Sequence, residues 1–212
     1  MENKHGTDID QTIEYYEKNA SAFIKSTIDV DVSELYRQFE ELLTPGCRIL
    51  DLGSGSGRDS KYFVGKGFDV VALDPSPEMC AQTRALVHIP VYEMRAEEIQ
   101  FSNEFDGVWA CASLLHVPRD KQENVLHRIA TALKDEGILY ASWKYGTQDR
   151  TADGKKYVDM NDSLIYEIIK EVPEVYIVKM WTTKDVRNEY STQKWLNVLF
   201  RKKRILPAVV DV

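Results

Sequence analysis

Apolar positions follow a helical period at the N-terminus and then gather into short runs parted by polar turns. Ile13, Tyr16, Ala20, Phe23 and Ile24 share one face, which predicts a helix from Ile9 to about Ser26 behind a frayed start at residues 1–8. Leu35, Phe39, Leu42 and Leu43 form a second stripe over about Ser33 to Leu43, with Ser33 as N-cap. Thr44-Pro45-Gly46 is a turn. Five apolar runs then predict strands at Arg48–Asp51, Asp69–Leu73, Pro90–Met94, Phe105–Ala110 and Gly137–Trp143. Helical stripes separate them. One ends near Lys66 at Gly67, one covers about Glu78 to Leu86 with Pro77 in its first turn, and one covers about Arg119 to Leu133 behind Pro118. A helix over Asp162–Lys170 and strands over Val175–Trp181 and Lys194–Arg201 close the chain. The stretch Tyr145–Met160, rich in Gly, Asp, Lys and Thr, is predicted to be a long loop at the ligand-binding edge.

The first run leads into Ile49-Leu50-Asp51-Leu52-Gly53-Ser54-Gly55-Ser56-Gly57-Arg58-Asp59: an acid, then glycines at alternate positions. The second, Val70-Val71-Ala72-Leu73-Asp74, also ends in an acid. A strand, a glycine turn, a helix and a second strand make one βαβ unit. Glycine lets the backbone approach a ligand that a Cβ would exclude, and open α/β sheets bind ligands at the carboxyl ends of their strands. The pattern therefore predicts an α/β fold: a doubly wound, mostly parallel seven-stranded Rossmann-like sheet with an antiparallel C-terminal strand and N-terminal helices. Residues 31–212 read as one globular domain and residues 1–30 as a helical lid.

At 212 residues and 43% hydrophobic, the chain can build one sizeable core. Its net charge of −7 argues against a broad nucleic-acid surface. Arg201-Lys202-Lys203-Arg204 is the exception, and it reads as a solvated strand end. Cys47, Cys80 and Cys111 form no CxxC pair, which suggests reduced thiols in a cytoplasmic protein. No apolar signal core or membrane-length run is present, and no residue set is assigned to a metal.

A dinucleotide site wants G-x-G-x-x-G, but Arg58 stands at the third glycine position. The pattern acid-x-Gly-x-Gly-x-Gly instead resembles the first motif of class I S-adenosylmethionine-dependent methyltransferases. Val71-Ala72-Leu73-Asp74-Pro75-Ser76-Pro77-Glu78-Met79 resembles their ribose-binding strand and turn. Phe105 to Pro118 resembles the fourth-strand motif of small-molecule members, and the Asp135-Glu136-Gly137 turn into the fifth strand matches as well. The likeness spans Tyr15 to Phe200. The Ser113–Pro118 and Trp143–Gly146 segments look most like the tellurite-resistance-type group.

That resemblance implies S-adenosylmethionine as cofactor and a set of contacts. Asp51 would face the methionine ammonium, with Gly53, Ser54, Gly55 and Gly57 forming the turn beneath it. Asp74 would accept both ribose hydroxyls, since a carboxylate binds a pair of donors well; Pro75 follows it. Met79 pads the adenine face or fills the core. The Ala96-Glu97 backbone would meet the adenine edge. Arg95 stands where many members carry an acid, which weighs against side-chain recognition of the adenine amine. Ala110 and Cys111 would border the methionine moiety, and Tyr15 and Tyr16 lie in the lid helix.

Methyl transfer is in-line displacement at an activated carbon, so alignment and water exclusion carry much of it. A base is needed only where the acceptor carries a proton. His116 is the candidate, against a packing role beneath the cofactor; His5, His88 and His127 lack comparable placement. Lys144, Tyr145, Arg150, Arg187 and Trp195 are candidate acceptor contacts, against a role as solvated surface, and cations gathered there could hold an anion. The expected partner is a small-molecule nucleophile, with neither membrane nor nucleic acid, and nothing in the sequence fixes an oligomer. The rivals are an RNA or protein methyltransferase, a non-catalytic cofactor-binding regulator and an NAD-dependent oxidoreductase.

Overall fold

Successive residues of a strand point to opposite faces, and the apolar runs sort the core accordingly. The computed structural model describes residues 4–187 and 192–204, and for residues 4–10 the backbone alone. Helices α1 (Lys4–Lys18), α2 (Ala20–Thr27) and α3 (Ser33–Glu40) precede the sheet. The alternating half runs β1 (Arg48–Leu52), α4 (Arg58–Gly65), β2 (Asp69–Asp74), α5 (Pro77–Leu86), β3 (Val91–Glu93), β4 (Phe105–Ala110), α6 (Gln122–Ala132) and β5 (Leu133–Lys144). It is completed by β6 (Asp149–Ala152), β7 (Lys155–Val158), α7 (Asp162–Glu171), β8 (Val175–Lys184) and β9 (Lys194–Lys202).

The seven-stranded sheet has the order β3-β2-β1-β4-β5-β9-β8. β1 to β5 pair in parallel, and β9 is antiparallel to both β5 and β8. On one face Ile49, Trp109 and Tyr140 pack with Phe39 of α3 and Phe63 of α4. On the other, Leu50, Val108 and Leu139 pack with Val125, Leu126 and Ile129 of α6. Both faces are covered, which is why these strands read as unbroken apolar runs. The chain leaves β1 toward β2 and returns to β4 on the opposite side, so the strand order reverses between them. Their carboxyl ends open a crevice at that switch point.

Several boundaries differ from the sequence pattern. The N-terminal stripe is two helices, broken at Asn19 (φ −115, ψ 16), whose side-chain amide donates to the Tyr15 carbonyl at 2.8 Å. Helix α1 begins at Lys4, so residues 4–8 are helical rather than frayed; residues 1–3 lie outside the described residues. Ser33 is the first residue of α3 rather than its cap, and the Asp31 carboxylate takes its N–H at 2.8 Å. Strand β5 starts at Leu133, through an irregular step where Glu136 has φ 64.

The largest correction concerns Tyr145–Met160. It is an ordered antiparallel hairpin, β6–β7, rather than a loop. Asp153 and Gly154 (φ 52 and 75) form its tip, the left-handed pair that suits a two-residue turn. At its base the Met160 N–H donates to the Lys144 carbonyl and the Gly146 N–H to the Met160 carbonyl. Arg119 clamps it from outside, donating to Asp149 and to the Asp159 carbonyl. The basic C-terminal run is tied into the sheet: Lys202 donates to the Leu133 carbonyl at 2.6 Å and Arg201 pairs with Glu136 at 3.5 Å. Among the described residues no helix is long and apolar enough to cross a membrane.

Candidate cofactor and acceptor site

The turn after β1 is shaped by what surrounds it. Gly53 has φ 81, and a Cβ there would lie 2.4 Å from the Ser113 Cβ. Both the backbone conformation and the close approach of the β4 loop require glycine. Gly57 (φ 79) caps α4 and abuts Thr83 and Leu86 of α5. At these two positions neighbouring protein, rather than ligand, excludes a side chain.

A cavity of about 530 Å³ lies over this turn, within the usual size of a small-molecule site. Gly53, Ser54, Gly55, Asp74, Pro75, Met79, Ala96, Glu97 and Cys111 line one part of it. Tyr15, Tyr16, His116, Lys144, Arg187 and Trp195 line it as well. Helices α1 and α2 form a wall, with Ile13, Asn19 and Phe23 facing it. Two contacts fasten that wall: Thr12 Oγ1 accepts the Lys156 N–H at 3.0 Å, and Ser76 Oγ lies 3.5 Å from Glu17. Asp51, Gly57, Ala110, Tyr145 and Arg150 do not line the cavity. Tyr145 donates to Asp162 at 3.0 Å, and Arg150 pairs with Asp159 at 3.1 Å.

Asp74 ends β2 at the cavity. Its two oxygens accept the Gly55 and Ser76 N–H groups, each at 2.9 Å. Burial raises its pKa to about 6, against the pull of those two bonds. A carboxylate has roughly four acceptor positions, so two remain for a ligand. Asp51 is 1% exposed and accepts the Ser60 hydroxyl at 2.6 Å. Burial and the neighbouring Asp59 charge raise its pKa. Beside the turn, Arg58 and Asp59 line the cavity where Asp51 does not. Asp59 accepts two bonds from Arg58, at 2.6 and 3.0 Å, one from Trp109 Nε1 at 2.8 Å and one from the Tyr36 hydroxyl. Burial opposes its ionisation, but Arg58 and these donors outweigh it and hold the carboxyl below its usual range. Every acceptor position of Asp59 is thereby used. Arg58 commits two of its five N–H donors to it and faces the cavity.

At the other end, the His116 ring is fixed by both nitrogens. Nδ1 lies 2.6 Å from the Lys156 carbonyl, so it carries the proton. Nε2 lies 2.8 Å from the Tyr16 hydroxyl and accepts its hydrogen. Burial, with Lys155 and Lys144 nearby, lowers the His116 pKa to about 4 against the Lys156 bond. Burial raises that of Tyr16 well above its ordinary value, helped by Tyr157 and Asp74. Lys155 stands 4.0 Å from the Tyr15 ring centroid and Lys144 stands 4.1 Å from that of Tyr157. Cys111 is pushed up to about 12, first by burial and then by Asp59, so it stays a thiol. Arg58, Asp59, Ser113, Lys155 and Tyr157 were absent from the sequence-derived set. The first two directly follow the glycine motif, and the last two come just after the Asp153-Gly154 turn signal.

These residues suit an adenosyl amino acid. Asp74 offers free acceptor positions, and Ser113 Oγ lines the cavity as a buried hydroxyl with no partner. Residues 49–137 match the family model of a methyltransferase domain. The chain is 24% identical over 143 residues to an uncharacterized methyltransferase of Staphylococcus carnosus, spanning 67% of this chain and 68% of that one. It is 31% identical over 121 residues to another from Synechocystis, spanning 54% and 56%. The fold superposes on the Burkholderia thailandensis 1,6-didemethyltoxoflavin-N1-methyltransferase, a structure with bound 1,6-didemethyltoxoflavin and S-adenosylhomocysteine. The TM-score is 0.76 at 18% identity, over 96% of this chain and 92% of that one. The matched domain and these relatives support S-adenosylmethionine-dependent methyltransferase activity, with S-adenosylmethionine as the cofactor.

Proposed function

We propose that this protein methylates a small-molecule nucleophile. One observation carries the reading. A single cavity joins the Asp74–Met79 side, suited to an adenosine, to the Tyr16–His116 side, and α1 and α2 wall it off. Asp74 holds the ribose, and Ala96 and Glu97 border the adenine. Arg58, braced by Asp59, holds the carboxylate of the amino-acid part, a task for which guanidinium geometry is suited. Asp51 stands behind the turn and acts through Ser60 and the local field rather than by touching the ligand. The 1–30 segment serves as the lid that excludes water.

When bound, the cofactor supplies an activated methyl carbon, to which the acceptor's lone pair bonds as the carbon–sulfur pair leaves on sulfur. The chain's own groups orient the acceptor and receive its proton. Tyr16 Oη takes that proton as it passes its own to His116 Nε2, and the Lys156 carbonyl steadies the ring through Nδ1–H. Folds of this kind serve many substrates, so acceptor choice lies in the side chains of the site. Net charge of −7 disfavours an RNA acceptor. The likeness of Ser113–Pro118 and Trp143–Gly146 to the tellurite-resistance-type group favours a small acceptor. The test is to incubate the protein with methyl-labelled cofactor and a panel of small nucleophiles, then follow the label. Transfer to a small molecule supports the reading; cofactor binding with label reaching only RNA or protein refutes it.

A further inference from the structure

We propose that the acceptor is a small aromatic acid, its anionic group held by Lys144 and Lys155 and its nucleophilic O–H, N–H or S–H presented to Tyr16 and His116. The proposal rests on the methyl-transfer reading and names its substrate class.

The charges at the acceptor end do not balance. Arg187 is neutralised by Asp185 at 2.6 Å, and Arg150 by Asp159 at 3.1 Å. Among the described residues no carboxylate pairs with Lys144 or Lys155. Both ammonium groups instead face the Tyr157 ring, 4.1 and 5.9 Å from its centroid, and both line the cavity. A ring face attracts a cation but does not cancel its charge. Burial, then the Arg150 charge, holds the Lys144 pKa below its usual value against the pull of Asp159, whereas that of Lys155 is raised, against its burial, by Tyr157 and Tyr15. In a chain of net charge −7, two such ammonium groups on one cavity wall are the complement of an anion. Tyr15, Tyr16, Tyr157 and Trp195 supply flat apolar wall for a ring. Neutral His116, with Nε2 already bonded to the Tyr16 hydroxyl, gives the departing proton a destination.

The test measures binding, in the presence of S-adenosylhomocysteine, of hydroxy-, amino- and mercaptobenzoates against the matching benzamides, then label transfer to each. The acids are expected to bind at least about tenfold tighter than their amides. Lys144→Met and Lys155→Met should each erase most of that preference while the S-adenosylhomocysteine affinity, read in the same titration, holds. Tyr16→Phe and His116→Gln should lower kcat on hydroxybenzoates with little change in their binding. They should cost less on mercaptobenzoates, whose thiol ionises without help near neutral pH. Equal binding of acids and amides, binding of neither, or acid binding untouched in both lysine variants would overturn the proposal and leave the cofactor reading standing. Failure of the unaltered protein to bind S-adenosylhomocysteine would overturn both.

Discussion

Replacing Asp74 with alanine separates what this carboxylate does for the fold from what it does for the ligand. In the protein alone it accepts the Gly55 and Ser76 N–H groups. Stranding the buried Ser76 donor costs about 1–3 kcal/mol and the half-buried Gly55 donor less, so the melting temperature should fall. On the ligand side, a hydrogen bond to a charged group contributes about 1.5–3 kcal/mol. Loss of even one ribose bond should therefore raise the Kd for S-adenosylhomocysteine by about tenfold or more. Isothermal titration reads the second effect and thermal unfolding the first. Asp74→Asn, which keeps one carbonyl oxygen for the turn, should recover part of the stability and little of the affinity. The unaltered protein adds an independent check. In the proposed site the ionised carboxyl holds the ribose diol, and burial raises the pKa of the free carboxyl to about 6. Affinity should then be flat above neutral pH and weaken toward about tenfold per unit below pH 6. Undiminished affinity in Asp74→Ala, or a pH-independent Kd down to pH 5, would refute the ribose assignment.

Other variants probe the rest of the site. Gly53→Ala forces an L-residue to φ 81 and a Cβ to within 2.4 Å of Ser113, which should cost more than about 2 kcal/mol in denaturant unfolding. Ser113→Gly in the same chain should return part of that loss. Arg58→Lys keeps the charge but loses the paired grip on Asp59, so it should lower cofactor affinity by about tenfold and stability by about 1 kcal/mol or more; unchanged affinity would remove Arg58 from the carboxylate site. His116 titrates near 6.5 when unfolded and about 4 when folded. Between those values the unfolded chain alone binds the proton, so this residue's contribution falls as pH drops from about 6.5 to 4, by up to roughly 3 kcal/mol. The stability gap between the native chain and His116→Gln should narrow over that window, and a gap constant with pH would exclude a buried neutral imidazole.

The sheet was legible in the sequence because strands covered on both faces must be apolar throughout. The runs at Ile49, Val70 and Val108 could hardly be anything else. The glycine turn and Asp74 were legible because their geometry is local: a left-handed backbone and a strand-end acid leave marks within a few residues. What was missed depends on contacts far apart in the chain. Arg58 registered only as an absent third glycine, since Asp59, which braces it, is held in turn by Tyr36 of α3 and Trp109 of β4. Asp51 drew attention as the motif's acid, yet the packing of Ser60 and Asp59 buries it behind the turn. Lys155 and Tyr157 lay in a stretch read as loop, because composition outweighed the Asp153-Gly154 pair that turns the hairpin. Asn19 broke a stripe whose periodicity continued across it.

The central claim is an adenosyl sulfonium site at the carboxyl ends of β1 and β2. Titration of the purified protein with S-adenosylhomocysteine and, separately, with NAD tests it most directly. One molecule of S-adenosylhomocysteine should bind per chain, with affinity lost in Asp74→Ala and no heat from NAD. Saturable NAD binding, or no binding of the adenosyl thioether by the unaltered chain, would contradict it.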